Sequence, residues 1–267
     1  MSVHMYPRDA AIRKVSREGV LLAGAGRALL MQLAHPSVAR GVAEHSDFAR
    51  GRFARLRNTL LPVYSIVFGT AEQARQAAAR VRARHQQVRG HGYVAEDQDL
   101  LLWVHATLVD SALLTHRRFV HPMTAAEADA YYRDSMELAG MFGLRRESMP
   151  ADVEAFRRYV DGMVARLEVS DTARGIAAEL FRPVPAVLAP ATFAVRELTA
   201  GLLPSRIRQQ YGLSWDRHRE AALGAICSLS RAFLPLVPMV VRQPPSIFMP
   251  RRTGPAGARQ GVLFRRT

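Results

Sequence analysis

The chain has almost no cysteine and almost no lysine. Cys227 is the one thiol in 267 residues, so no disulfide can form within the chain and no Cys-rich zinc or iron–sulfur site can be assembled. Lys14 is the one lysine, and arginine carries the rest of a net charge of +14. The arginines are spread along the chain instead of gathering in one segment. We read them as compositional bias and expect no nucleic-acid partner. No run of about 18 uninterrupted apolar residues occurs. The longest stretches, "LLLWVHATLV" and "FLPLVPMVV", are too short or broken by proline, so no stable membrane insertion is expected. The opening "MSVHMYPRDAAIRKVSREG" lacks an apolar core flanked by basic residues, which predicts no secretory leader. With the scarcity of cysteine, this points to a cytoplasmic protein.

Sustained period-2 alternation is also missing. What is present is 49% hydrophobic residues against 22% charged, enough apolar material for one large domain, in helical spacing nearly throughout. "VSREGVLLAGAGRALLMQLAHPSVARGVAEHS" predicts two helices broken at Pro36, and "FARLRNTLLPVYSIVFGT" a short apolar helix interrupted at Pro62. Thr70 with Gln73 forms a capping box for a helix from Ala71 to about Arg89, stopped by Gly90 and Gly92. "EDQDLLLWVHATLVDSALLTHRRF" predicts a long buried helix with acidic residues at its start. A helix capped by Thr124 closes at Gly143, and others start after Pro150 and at "SDTARG". The expectation is one all-α domain over 1–249, with a basic, Gly/Pro-rich flexible tail over 250–267.

Several motifs are absent. "GAGRALL" has Gly24 and Gly26 but neither the preceding strand nor the third glycine of a dinucleotide fingerprint, so close helix packing is the better reading. There is no HExxH, no Glu-x-x-His pair, no Cys/His quartet and no G-x-S-x-G elbow, which disfavours zinc, di-iron and serine-hydrolase chemistry. There remains "RVRARHQQVRG". At 100° per residue His85 falls on one side with Ala74, Ala78, Val81 and Val88, flanked by Arg82 and Arg89. A buried neutral imidazole can ligate a metal, and guanidinium groups beside it suit the carboxylates of a haem. The same pattern also describes a hydrogen-bonded core histidine among surface arginines. His105, inside "LLWVHATLV", either lines a pocket or bonds a neighbouring carbonyl.

The runs "LLMQLAHPSVARGVAEHSDF", "RLRNTLLPVYSIVFGT", "RVRARHQQVRG" and "DLLLWVHATLVDSALL" resemble the latex-clearing (rubber) oxygenase family, which also includes the fungal mycophenolic-acid-pathway oxygenase. The resemblance implies an all-helical fold with a globin-like core and extra helices. It implies one haem b, and dioxygen used on carbon–carbon double bonds of a small apolar substrate, with a homodimer left open. The family's proximal iron ligand lies in an Arg-x-x-His-x-x-x-Arg pattern, matched here by Arg82, His85 and Arg89. Its distal Arg-x-x-Lys-Thr pattern is met by Arg55, Asn58 and Thr59, so the lysine is missing. Arg55 would then stabilise charge on bound oxygen, with a surface ion pair as the alternative. Thr59 would donate a hydrogen bond, with an i−4 back-bond as the alternative. The family's glutamate base has no counterpart at its position, and Glu44 and Asp47 lie near it. A haem-binding or gas-sensing module without turnover is the competing reading.

Overall fold

The computed structural model describes residues 3–45, 52–182 and 186–250, and the side chains of 52–55 and 186 lie outside that description. Asp47 and residues 251–267 of the expected tail therefore lie outside the described residues. Thirteen α-helices run through the described chain: α1 (Ala11–Ser16), α2 (Ala25–Ala34), α3 (Pro36–His45), α4 (Arg52–Phe68), α5 (Ala71–Gln87), α6 (Gln98–Phe119), α7 (Ala125–Met141), α8 (Val153–Arg166), α9 (Asp171–Leu180), α10 (Ala189–Leu202), α11 (Ser205–Gln210), α12 (Arg217–Phe233) and α13 (Met239–Arg242). The all-α class expected from the periodicity holds. One departure is an antiparallel hairpin, β1 (Arg89–Gly90) with β2 (Tyr93–Val94), in which Arg89 faces Val94. Strands of two residues are too short to leave an alternating signal.

The core is built around α6. Asp97 caps it by accepting from the amides of Asp99 and Leu100, and His116, Arg117 and Arg118 occupy its last turn, where positive charge complements the helix dipole. At 22 residues it is long enough to meet α2, α7, α8 and α12. Trp103 is fully buried and donates to the Met31 carbonyl at 3.0 Å. That carbonyl lies in the last turn of α2, where carbonyls lack amide partners within the helix.

Close approach to α6 and α10 explains "GAG". A Cβ on Gly24 would lie 2.4 Å from Thr115 Oγ1 on α6, and one on Gly26 2.1 Å from Thr199 Oγ1 on α10. These glycines serve helix packing, as the missing fingerprint implied. Arg27, 5% exposed, fixes the same junction. It donates to Asp110 at 2.5 Å, to Ser111 at 2.8 Å and to the Leu202 carbonyl at 2.8 Å. A second buried ion pair joins distant parts of the chain. Glu18, 2% exposed, accepts from Arg242 at 2.7 and 3.0 Å, and the Arg242 carbonyl packs on Gly19.

Candidate functional site

Helices α4 and α5 form an antiparallel pair joined at Gly69 and Thr70. The joint is tight: a Cβ on Gly69 would sit 2.3 Å from the Ser65 carbonyl. Thr70 and Gln73 make the expected capping box, and His4 Nδ1 bonds the Gly69 carbonyl at 2.9 Å. Near this joint the pair belongs to the core, with Ile66, Val67, Ala74, Ala77 and Ala78 all buried. Away from it the pair leaves the core. By helical rise, Asn58 lies about 17 Å before the joint and His85 about 22 Å after it. The two motifs therefore share the open end.

Pro62 does not interrupt α4, contrary to the expectation. It sits inside a continuous helix, and packing of α4 on α5 offsets the hydrogen bond that proline removes. Because Pro62 has no amide hydrogen, the Asn58 carbonyl lacks its usual helical donor. This singles out Asn58 in a way that sequence spacing alone did not. Asn58 and Thr59 are exposed, and the side chain of Arg55 lies outside the described ones.

His85 is half-buried, at the end of a stripe whose start, Ala74 and Ala78, is fully buried. Its Nδ1 is buried and has no hydrogen-bond partner, so the reading as a satisfied core histidine fails for that atom. Burial holds its pKa below the ordinary value, with Glu96 opposing and Arg84 assisting. The imidazole is therefore neutral, the form that ligates metals. Arg82 is exposed and donates to the Met141 carbonyl at a long 3.3 Å. Arg89 is not on the helix. It was expected four residues beyond His85 on one edge, but α5 ends at Gln87 and Arg89 lies in β1, with its guanidinium turned back on the Gln86 carbonyl at 2.8 and 3.2 Å. Gly90 and Gly92 come after this end, Gly92 shaping the hairpin turn with φ of 77°.

His105 also carries an unpartnered buried nitrogen, Nε2, and burial alone pushes its pKa down to about 4. Of the alternatives for His105, a bond to a neighbouring carbonyl fails for that nitrogen. Glu44, a nearby acid in the sequence, accepts from the Tyr93 hydroxyl at 2.5 Å. Tyr93 packs on Gly41 and Gly90, so the hairpin seals onto α3. This partnership went unrecognised because it depends on two-residue strands. His35 accepts from the Ser37 amide at 3.3 Å, satisfying the start of α3.

Two clefts border the α4–α5 pair. One, of about 440 Å³, is lined by Arg57, Ser65, Gln73, Gln76, Arg80 and Met249. The other, of about 660 Å³, lies along Val3, Thr70, Glu72, Gln73, Arg75 and Gln76. Neither is lined by His85, Arg82 or His105. Among the described residues no three His, Cys, Asp or Glu side chains converge as a metal set. A bare ion would need such a set, whereas porphyrin iron takes one or two protein ligands. The orphaned nitrogen of His85 meets that smaller requirement. No described helix is long and apolar enough to cross a membrane.

No solved structure matches the chain. Two uncharacterized proteins, of Mycobacterium bovis and of Mycobacterium tuberculosis, are each 29% identical over 225 residues, 79% of this chain and 87% of theirs. The family model described as ER-bound oxygenase mpaB/B'/Rubber oxygenase, catalytic domain, matches residues 12–232. That span takes in α4, α5, α6 and every proposed site residue, and the chain belongs to this oxygenase family.

Proposed function

We propose that the protein is a haem b-dependent oxygenase that uses dioxygen on an unsaturated, apolar small molecule. The observation that carries this reading is the buried, unpartnered Nδ1 of His85 on a neutral imidazole, at the open end of the α4–α5 pair. The family match supports the reaction class. When bound, the haem iron would supply dioxygen binding and activation.

His85 would ligate the iron through a ring nitrogen. Arg82, held by a single long bond, is available to pair with a haem carboxylate. Arg89 would join it by giving up the Gln86 carbonyl. His105 would line the cofactor's surroundings, its buried Nε2 available as a donor or acceptor. Asn58 would stand where the family pattern has lysine, with a shorter, uncharged amide. Arg55 would hold developing negative charge, and Thr59 would offer a hydroxyl.

The second reading, haem binding without turnover, draws on Glu44. Its carboxylate is engaged by Tyr93 and is less free to act as a base. The test is reconstitution of the full chain with haem b. We expect a Soret band that His85→Ala abolishes while the helical circular dichroism persists, and failure to bind haem sinks both readings. Dioxygen and candidate alkenes followed by mass spectrometry then separate the two. A product lost at least about tenfold in Arg55→Ala is expected for the oxygenase, consistent with the value of one oxyanion-type donor.

A further inference from the structure

Exposed apolar side chains scattered over a surface are ordinary, but here they are concentrated. Of thirteen large apolar side chains exposed among the described residues, eleven lie between Val187 and Ile247. Val187, just before α10, is 80% accessible, and the first two turns of α10 are exposed nearly all round, with Phe193 59% and Val195 52% accessible. Helix α12 faces the core with Leu223 and Cys227. It turns Ile226, Leu229 and Phe233 outward, at 55–59% exposure, a second apolar stripe about a quarter-turn away. The segment after it adds Leu236 at 76% and Val240 at 77%. Helix α10 packs on α12 through its C-terminal half, where Leu198 and Leu202 meet Leu223 and Cys227, and the turn Leu234–Leu236 continues α12 directly.

Charge indicates what meets this surface. From Ala221 to Thr267 the sequence has seven arginines and neither Asp nor Glu. Arg242 is taken by Glu18; Arg231 lies on α12, and the other five follow Pro250 in the sequence, outside the described residues. A second copy of the chain would bring the same positive stretch against itself. An anionic bilayer offers both counter-charge and an apolar layer for side chains.

We infer that the surface formed by the start of α10, the outer stripe of α12 and the segment through α13 docks peripherally on anionic lipid membrane, lying in the interface without spanning it. This does not depend on the haem reading, because it concerns other residues and is measured without cofactor.

The test is flotation of the full chain with vesicles of phosphatidylcholine alone and with 30% phosphatidylglycerol. We expect binding to the anionic vesicles, weaker by about tenfold or more on neutral ones and reduced by salt. Leu236→Ser with Val240→Ser should cut anionic binding by about tenfold with an unchanged melting temperature, since both side chains are exposed. Arg251→Gln with Arg252→Gln should weaken binding at low salt only. Absence of vesicle binding, or binding untouched by the serine variant, overturns the inference. Sedimentation showing a dimer that the serine variant dissolves, with no vesicle binding, would assign the surface to a second copy and overturn it equally.

Discussion

At the scale of single residues, buried polar atoms without partners stand out. His85 Nδ1, His105 Nε2, Thr115 Oγ1 and His116 Nδ1 are all buried and unbonded. Such atoms are uncommon and each calls for an explanation. For His116 the consequence is a pH dependence of stability. Burial, then the neighbouring His121, push its pKa down to about 4, with Glu127 opposing. An unfolded histidine titrates near 6.5, so between about pH 6.5 and 4 the unfolded chain binds a proton that the folded chain refuses. Stability is full above that window and falls as pH drops through it, by at most about 1.4 kcal/mol per pH unit for the group. His105 acts in the same direction. Urea titrations at pH 7, 6 and 5 should show this fall, and His116→Gln should flatten the slope by roughly half. An unchanged slope would mean that His116 is protonated in the fold. His85 stood out in the sequence by helical phase, but the pattern alone left a core histidine open, and the ligand role came from the family's Arg-x-x-His-x-x-x-Arg spacing. Its unbonded nitrogen was not legible, since that depends on what fails to pack against it.

At the scale of elements, legibility followed local chemistry. Thr70 and Thr124 cap their helices as read from the sequence, and at the acidic starts of α6 and α8 the caps are Asp97 and Asp152. The places where reading failed are governed by neighbours. Packing on α5 keeps α4 continuous through Pro62, and α5 stops at Gln87 where the hairpin docks on α3, before its glycines. Packing also makes a prediction at the junction of α2 with α10. Gly26→Ala would place a methyl 2.1 Å from Thr199 Oγ1, an overpacking that costs about 1–3 kcal/mol. Thr199→Ala removes that oxygen, so the double variant should recover part of the loss. Thermal melts of the two single variants and the double close the cycle, and strict additivity would argue that the two residues do not meet.

At the scale of the whole molecule, the two ends of the described chain are tied together. The Glu18–Arg242 pair links positions 224 residues apart, and no sequence pattern announces such a bond. With Phe248 buried and the turn Ser246–Phe248 packed on α4, this pair fastens the final segment to the body. Glu18→Gln would leave a largely buried guanidinium without its counter-charge, a change worth roughly 3 kcal/mol. Limited trypsin digestion should then cut at Arg242 well before the rest of the chain is attacked. Simultaneous cleavage throughout would show that the segment does not open on its own.

The α4–α5 pair is anchored in the core at its joint and free of it at its far end, and this separates two kinds of selection. Residues around Asn58 and His85 can be exchanged, or a ligand gained or lost there, with little effect on whether the polypeptide folds. A bound ligand adds stability only by mass action on an already folded receptor. On the proposed function, this chain would carry its chemistry at one tip of a scaffold whose core is built elsewhere.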